Sequence, residues 1–205
     1  MDRGDENMSD VALTIKRVLT TESDAIAQQL NILDSAVAER LVTLFSECTG
    51  KIMVTGCGTS GAAAKKIAHS FCCINRPAVY LSPADAKHGG AGLITDKDIV
   101  IILSKGGATP ELVELAQIAG EKKAVTVAVS EKEHSKLTEV CDIWLQVKVD
   151  KEPDAFNMLA TASTLSVISV MDAIIICVME RTGFSREAFA VIHPGGAVGE
   201  RLLKK

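Results

Sequence analysis

The chain has 205 residues, 47% of them hydrophobic, and a formal charge of −4 at neutral pH. That length suits one α/β domain able to bury roughly 70% of its unfolded surface without disulfide or metal staples. The acidic balance, with no basic cluster beyond pairs such as Lys65-Lys66, argues against nucleic acid as a partner, and the longest apolar run, 167–179, is broken by Ser169 and Asp172 and too short for a bilayer.

Residues 1–10 are polar and acidic and read as a flexible N-terminal tail with no signal peptide, which leaves 11–205 as a single domain. Up to Gly50, apolar residues recur three and four apart (Leu13, Val18, Leu19, Ile26, Leu30, Leu33, Val37, Leu41, Leu44). They predict one long amphipathic helix or two in tandem. Five β-rich runs follow, 51–55, 78–81, 99–103, 124–129 and 143–147, alternating with helices. This pattern predicts an α/β fold, a doubly wound five-stranded parallel sheet in the flavodoxin-like order 2-1-3-4-5. The unbroken Ile/Val/Leu of 99–103 marks a central strand covered on both faces. Segment 157–181 reads as a long helix with few charges, so more than one face must be covered. A second copy of the chain would do that, and a homo-oligomer, dimer or tetramer, is expected. His193-Pro-Gly-Gly-Ala-Val-Gly199 holds too many glycines for regular structure and reads as a tight irregular turn.

The six cysteines (Cys48, Cys57, Cys72, Cys73, Cys141, Cys177) show no CxxC pair or zinc spacing. No metal site is expected, the thiols read as reduced and cytoplasmic, and Cys72-Cys73 is expected to pack as a pair of small buried hydrophobes.

Two strands run straight into a Gly/Ser/Thr loop and then a helix. Gly56-Cys-Gly-Thr-Ser-Gly61 follows the first, and Ser104-Lys-Gly-Gly-Ala-Thr109 follows the third. In the order 2-1-3-4-5 these loops leave side by side at the switch point, where open α/β sheets bind ligands. Glycines let the backbone approach closely, and the free N–H groups of a helix start favour an anion. A phosphorylated small molecule is the expected ligand. The first loop also fits the GxGxxG dinucleotide fingerprint. Tyr80-Leu-Ser-Pro83 stands where the ribose-binding acid belongs, so a phosphate turn or a plain strand-helix packing turn ranks above it.

Thr109 is placed to cap the helix that Pro110 opens, and Glu111 falls in its first turn, where the helix dipole favours a carboxylate. His88 and His193 lie among glycines with little to pack on, and histidine is a residue type that can shuttle protons. His69 falls inside a helix and His134 on the surface. Glu152, in Lys148-Val-Asp-Lys-Glu-Pro153, reads on its own as part of a solvated charge cluster.

Taken together these segments resemble the sugar isomerase (SIS) superfamily, most closely the isomerase domain of D-arabinose-5-phosphate isomerases. The likeness covers nearly the whole chain. It rests on the His193 to Leu202 tail, Ser82-Pro-Ala-Asp-Ala-Lys-His-Gly89, Lys151-Glu152 and Ser104 to Glu111. The resemblance implies interconversion of arabinose 5-phosphate and ribulose 5-phosphate without an organic cofactor, in tetramers with shared active sites. It implies a phosphate site of Ser60, Ser104 and Thr109 with the amides of Gly106 and Gly107, in loops that also hold Gly58, Thr59 and Lys105. Glu111, Glu152, His88 and His193 would surround the sugar, His193 reaching a neighbouring subunit. Moving a carbonyl between C1 and C2 needs a base, a group that stabilises the enediolate, and hydroxyl proton transfer. Glu152 or Glu111 would move the carbon-bound proton, and the two histidines would serve ring opening.

Three departures stand out. Thr59 replaces a lysine, for which Lys105 on the adjacent loop offers a substitute charge. Gly90 replaces an aspartate, and Asp85 a glutamate. The chain ends after the isomerase domain, so the paired CBS domains of the long form are not expected. These departures keep open an isomerase of a hexulose phosphate and a non-catalytic sugar-phosphate sensor; both glutamates and both histidines favour the enzyme.

Overall fold

The computed structural model describes residues 9–195. The expectations for the tail up to Met8 and for the glycine turn beyond Gly195 lie outside the described residues. The first helical stretch is two helices, α1 (Asp10–Ile32) and α2 (Ser35–Glu47). Asp34 makes the break, because its carboxylate accepts from the amides of Ala36 (2.8 Å) and Val37 (3.2 Å) and caps α2. Then come β1 (Ile52–Gly56), α3 (Gly58–Cys73), β2 (Ala78–Tyr80), α4 (Pro83–Lys87) and a 3-10 turn at Gly90–Leu93. β3 (Ile99–Leu103), α5 (Pro110–Glu121), β4 (Val125–Ser130), β5 (Ile143–Gln146), α6 (Ala162–Arg181) and α7 (Arg186–Ile192) complete the chain order.

The sheet is wholly parallel in the order β2-β1-β3-β4-β5, as expected. Its register sets Gly56, Leu103 and Val129 in one row across β1, β3 and β4. The loops after those strands therefore leave from one level. Alternate residues divide between two cores. Val54, Ile101, Val127 and Leu145 pack with Phe45, Ile67, Phe71 and Ile174 from α2, α3 and α6. Met53, Val100, Ile102 and Ala128 pack with Leu112, Leu115 and Ala119 of α5.

Some expectations are corrected. The last long helix starts at Ala162, five residues later than the pattern suggested, because Asp154 folds the preceding segment into a turn. Its carboxylate accepts from the amides of Phe156 (2.9 Å), Met158 (2.9 Å) and Leu159 (2.8 Å). By length and composition α6, with a mean hydropathy of 2.1, could cross a membrane; in the fold it packs on α1, α2 and α3. The vicinal cysteines do not pack as buried hydrophobes: Cys72 is exposed and Cys73 half-buried at the end of α3, on the side turned from the core. Short α7 was not foreseen, and none of its residues is buried.

Candidate active site

Both Gly/Ser loops leave the carboxyl edge of the sheet and open helices without a side-chain cap. At the start of α3, Gly58 adopts φ 56°, and neither Cys57 nor any other side chain caps the helix. Gly56 and Gly61 allow helix and strand to touch, since a Cβ on Gly61 would meet the Gly56 carbonyl at 2.8 Å. This loop therefore also does what the packing reading required. At the start of α5, Thr109 occupies the cap position, but its hydroxyl lies 3.4 Å from the Ser104 hydroxyl rather than on a helix amide. The expectation that Thr109 caps its helix is corrected, and the free amides of that first turn stay available to an anion. Gly107, at φ 66°, has Ser135 Oγ 2.2 Å from where a Cβ would stand.

Ser60, Ser104 and Lys105 line one cavity of about 50 Å³ together with Ser130, Glu131 and Ser163. It is room for a water or two rather than a sugar phosphate, which would have to lie across its mouth on the two loops. Beneath Lys105 sits Glu152, 2% exposed and not part of a solvated cluster. Gln29 of α1 anchors the segment leading to it, donating to the Lys148 carbonyl at 2.7 Å. Asn157, at φ 56°, accepts from the Glu152 amide at 2.6 Å.

Every acceptor position on that carboxylate is engaged. Oε1 accepts from Lys105 Nζ at 2.7 Å and from Ser163 Oγ. Oε2 accepts from the amides of Thr161 (3.0 Å) and Ser163 (3.3 Å). Burial works against charge on Glu152 and is the strongest single influence. Lys105, the Ser163 hydroxyl and the two amides together outweigh it and hold the carboxyl below the ordinary glutamate range.

The remaining candidates are spread around this corner. Glu111 is exposed in the first turn of α5. It is close enough to Cys57 to help burial push that thiol up, and it adds to the raised value of Lys87, whose first cause is the hydrogen bond to Glu114. His88 ends α4, exposed, beside that Lys87–Glu114 pair. His193 ends α7 with its ring stacked on Phe189, centroids 4.0 Å apart, and its Nδ1 3.2 Å from the Phe189 carbonyl. The fold thus gathers Ser60, Ser104, Lys105 and Glu152, while His193 stays on its own helix.

Two contributors were missed. Ser163 opens α6 and carries no motif. Glu131 follows β4 as directly as Ser104 follows β3, and its place at a strand's carboxyl end in an open α/β sheet was the signal available.

Known proteins resemble the chain along most of its length. Arabinose 5-phosphate isomerase KdsD of Escherichia coli K12 is 32% identical over 192 residues, 92% of this chain; the chain spans 57% of that protein's length. A candidate sugar-phosphate isomerase from Listeria monocytogenes superimposes with a TM-score of 0.88 at 45% identity, covering 92% of this chain and all of the other. An Escherichia coli CFT073 protein in complex with arabinose 5-phosphate gives 0.84 at 27% identity, covering 91% of this chain and all of the other. The SIS domain model matches residues 44–177, from the last turn of α2 through both glycine loops to near the end of α6, and the chain belongs to the SIS domain family.

Proposed function

We propose that the chain is a phosphosugar aldose-ketose isomerase acting on D-arabinose 5-phosphate and D-ribulose 5-phosphate by enediolate proton transfer. The observation that carries this reading is the gathering of Ser60, Ser104 and Lys105 around one cavity at the strands' carboxyl ends, with Lys105 held by a buried glutamate. The relatives named above support the same reading.

In this mechanism the phosphate lies on the amide of Gly106 and the hydroxyls of Ser60, Ser104 and Thr109, with Gly58 and Thr59 forming the second wall; the Gly107 amide, expected to join them, instead donates to the Ser104 carbonyl at 3.1 Å and holds the loop. Glu111 is the better base. Its carboxylate is exposed at a helix start, whereas Glu152 has both oxygens occupied and resists protonation. Glu152 instead holds the Lys105 ammonium where negative charge develops on the enediolate oxygen. His88 and His193 move hydroxyl protons during ring opening, His193 from a second copy of the chain. Phe156, Met158, Leu159 and Val191, between 65% and 81% exposed, supply apolar surface for that copy. A homo-oligomer, dimer or tetramer, follows, and a sedimentation velocity run returning only monomer would remove it. Exposed free thiols at Cys57, Cys72 and Cys177 fit a reducing cytoplasm.

The test is proton NMR of D-arabinose 5-phosphate, D-ribulose 5-phosphate and a hexose-phosphate panel incubated with the protein in heavy water. Interconversion with deuterium at C1 or C2 is expected for the pentose phosphates. Binding without exchange of any sugar would replace the isomerase with a sensor.

A further inference from the structure

Lys105 serves two carboxylates, and they differ. Glu152 is closed, with four hydrogen bonds on its two oxygens. Glu131 is open: its Oε1 is shielded from solvent yet has no protein hydrogen-bond partner, and the Lys105 ammonium stands 3.8 Å away, beyond hydrogen-bond distance. The backbone of Glu131 is fixed on both sides, its amide donating to the Lys105 carbonyl at 3.0 Å and its carbonyl accepting from Gln146 Nε2 at 3.0 Å. The side chain lines the same cavity as Ser60, Ser104 and Lys105. A carboxylate oxygen held without a partner in a cavity of about 50 Å³, space for one hydroxyl reaching in from the mouth, is costly unless that hydroxyl supplies the missing donor.

We propose that Glu131 is a specificity-determining contact of the site, its Oε1 accepting a hydrogen bond from a hydroxyl of the bound sugar while Lys105 remains between it and Glu152. The proposal rests on the sugar-phosphate reading above. It adds a residue of different duty, because Glu131 reads the sugar and leaves the phosphate to the two glycine loops. Burial also pushes its carboxyl up, with Lys105 and the Val149 backbone opposing, as fits an acceptor cut off from water. Hydroxyl recognition by a buried acceptor discriminates strongly, since a ligand lacking the hydroxyl leaves the acceptor unpaired.

Calorimetric titration of D-arabinose 5-phosphate and, separately, inorganic phosphate into wild type, Glu131→Ala and Glu131→Gln tests this. The alanine variant should bind the sugar phosphate about 10- to 100-fold more weakly, with inorganic phosphate unchanged within about twofold. The glutamine variant keeps shape and an acceptor oxygen and should fall between, which serves as the readout if the alanine chain does not fold. Sugar-phosphate affinity within about threefold of wild type in both variants would overturn the proposal. Equal weakening of both probes would also overturn it, since Glu131 would then only support the loop. A wild-type chain that binds phosphate but no sugar phosphate would sink the sugar reading itself.

Discussion

Among the described residues two buried carboxylates pair with lysine, at opposite ends of the same sheet. At the amino end, Asp98 is 1% exposed and accepts from Lys51 Nζ (2.7 Å), the Lys51 amide (2.8 Å) and the Thr95 amide (2.7 Å). Gly50 lies so close that a Cβ there would meet Asp98 Oδ1 at 2.4 Å. That pair is complete: it ties the entry of β1 to the entry of β3. At the carboxyl end the Glu152–Lys105 pair is equally well bonded on the glutamate side, but its lysine side is 43% exposed, shared with Glu131, and borders a cavity. The same chemistry closes a structure in one place and leaves a half-exposed cation beside a cavity in the other. Open α/β sheets bind ligands at the carboxyl end of their strands, and here the difference is visible in hydrogen bonds.

The largest expected effects separate the two pairs by turnover. Glu152→Gln should lower isomerase turnover by about two to three orders of magnitude, because Lys105 loses the charge that holds it where the enediolate forms. Near-normal turnover in a folded Glu152→Gln chain would make this pair structural, like its counterpart. Asp98→Ala should do the reverse. It should cost about 3 kcal/mol of stability, seen as a melting temperature roughly 6 to 12 °C lower, with turnover little changed. A large loss of turnover at unchanged melting temperature would break the comparison.

Next comes Gly107→Ala. Its φ of 66° and the Ser135 side chain 2.2 Å from the added Cβ are both unfavourable. About 2 to 3 kcal/mol should be lost in chemical denaturation, together with affinity for phosphate. Gly58→Ala, with φ 56° but nothing within 4 Å of its Cβ, should cost only about 1 kcal/mol.

What could be read in advance follows the same division. Strands 99–103 and 51–55, the 2-1-3-4-5 order and the two glycine loops were legible because each is carried by neighbours in sequence: an apolar run, a turn residue, a helix start. Asp34 as a helix break and Asp154 as a turn were also local, yet the first sat inside apolar periodicity that left one helix or two in tandem open, and the second fell just before the apolar run of 157–181, which pointed to a continuous helix. Glu152 was illegible as a buried residue. Its surroundings, Lys148-Val-Asp-Lys-Glu-Pro153, are charged in sequence, and the groups that accommodate it, Lys105 and Ser163, lie 47 and 11 residues away. The exposure of Cys72 was hidden for the converse reason, since an apolar helix end does not announce which face meets the core.

The smallest effects expected are in pH dependence, and their signs differ within one site. Burial opposes charge on both Asp98 and Glu152, but hydrogen bonds, from Lys51 in the one case and Lys105 in the other, hold both below their ordinary values, roughly pH 4. A group lowered in the fold contributes stability that is present above its ordinary value and lost as pH falls through the folded one. Midpoints of urea unfolding should therefore drop on acidification below about pH 4, and less steeply in Asp98→Asn and Glu152→Gln. Glu131 runs the other way. Burial raises it, with Glu152 adding to the rise and Lys105, Lys148 and the Val149 amide opposing. Its contribution is present below the ordinary value and lost as pH rises through the folded one. Glu131→Gln should thus gain on wild type at pH 7, and that gain should vanish below about pH 4. A loss at pH 7 would mean that Lys105 needs both carboxylates to stay in place, and the second pair would then be as closed as the first.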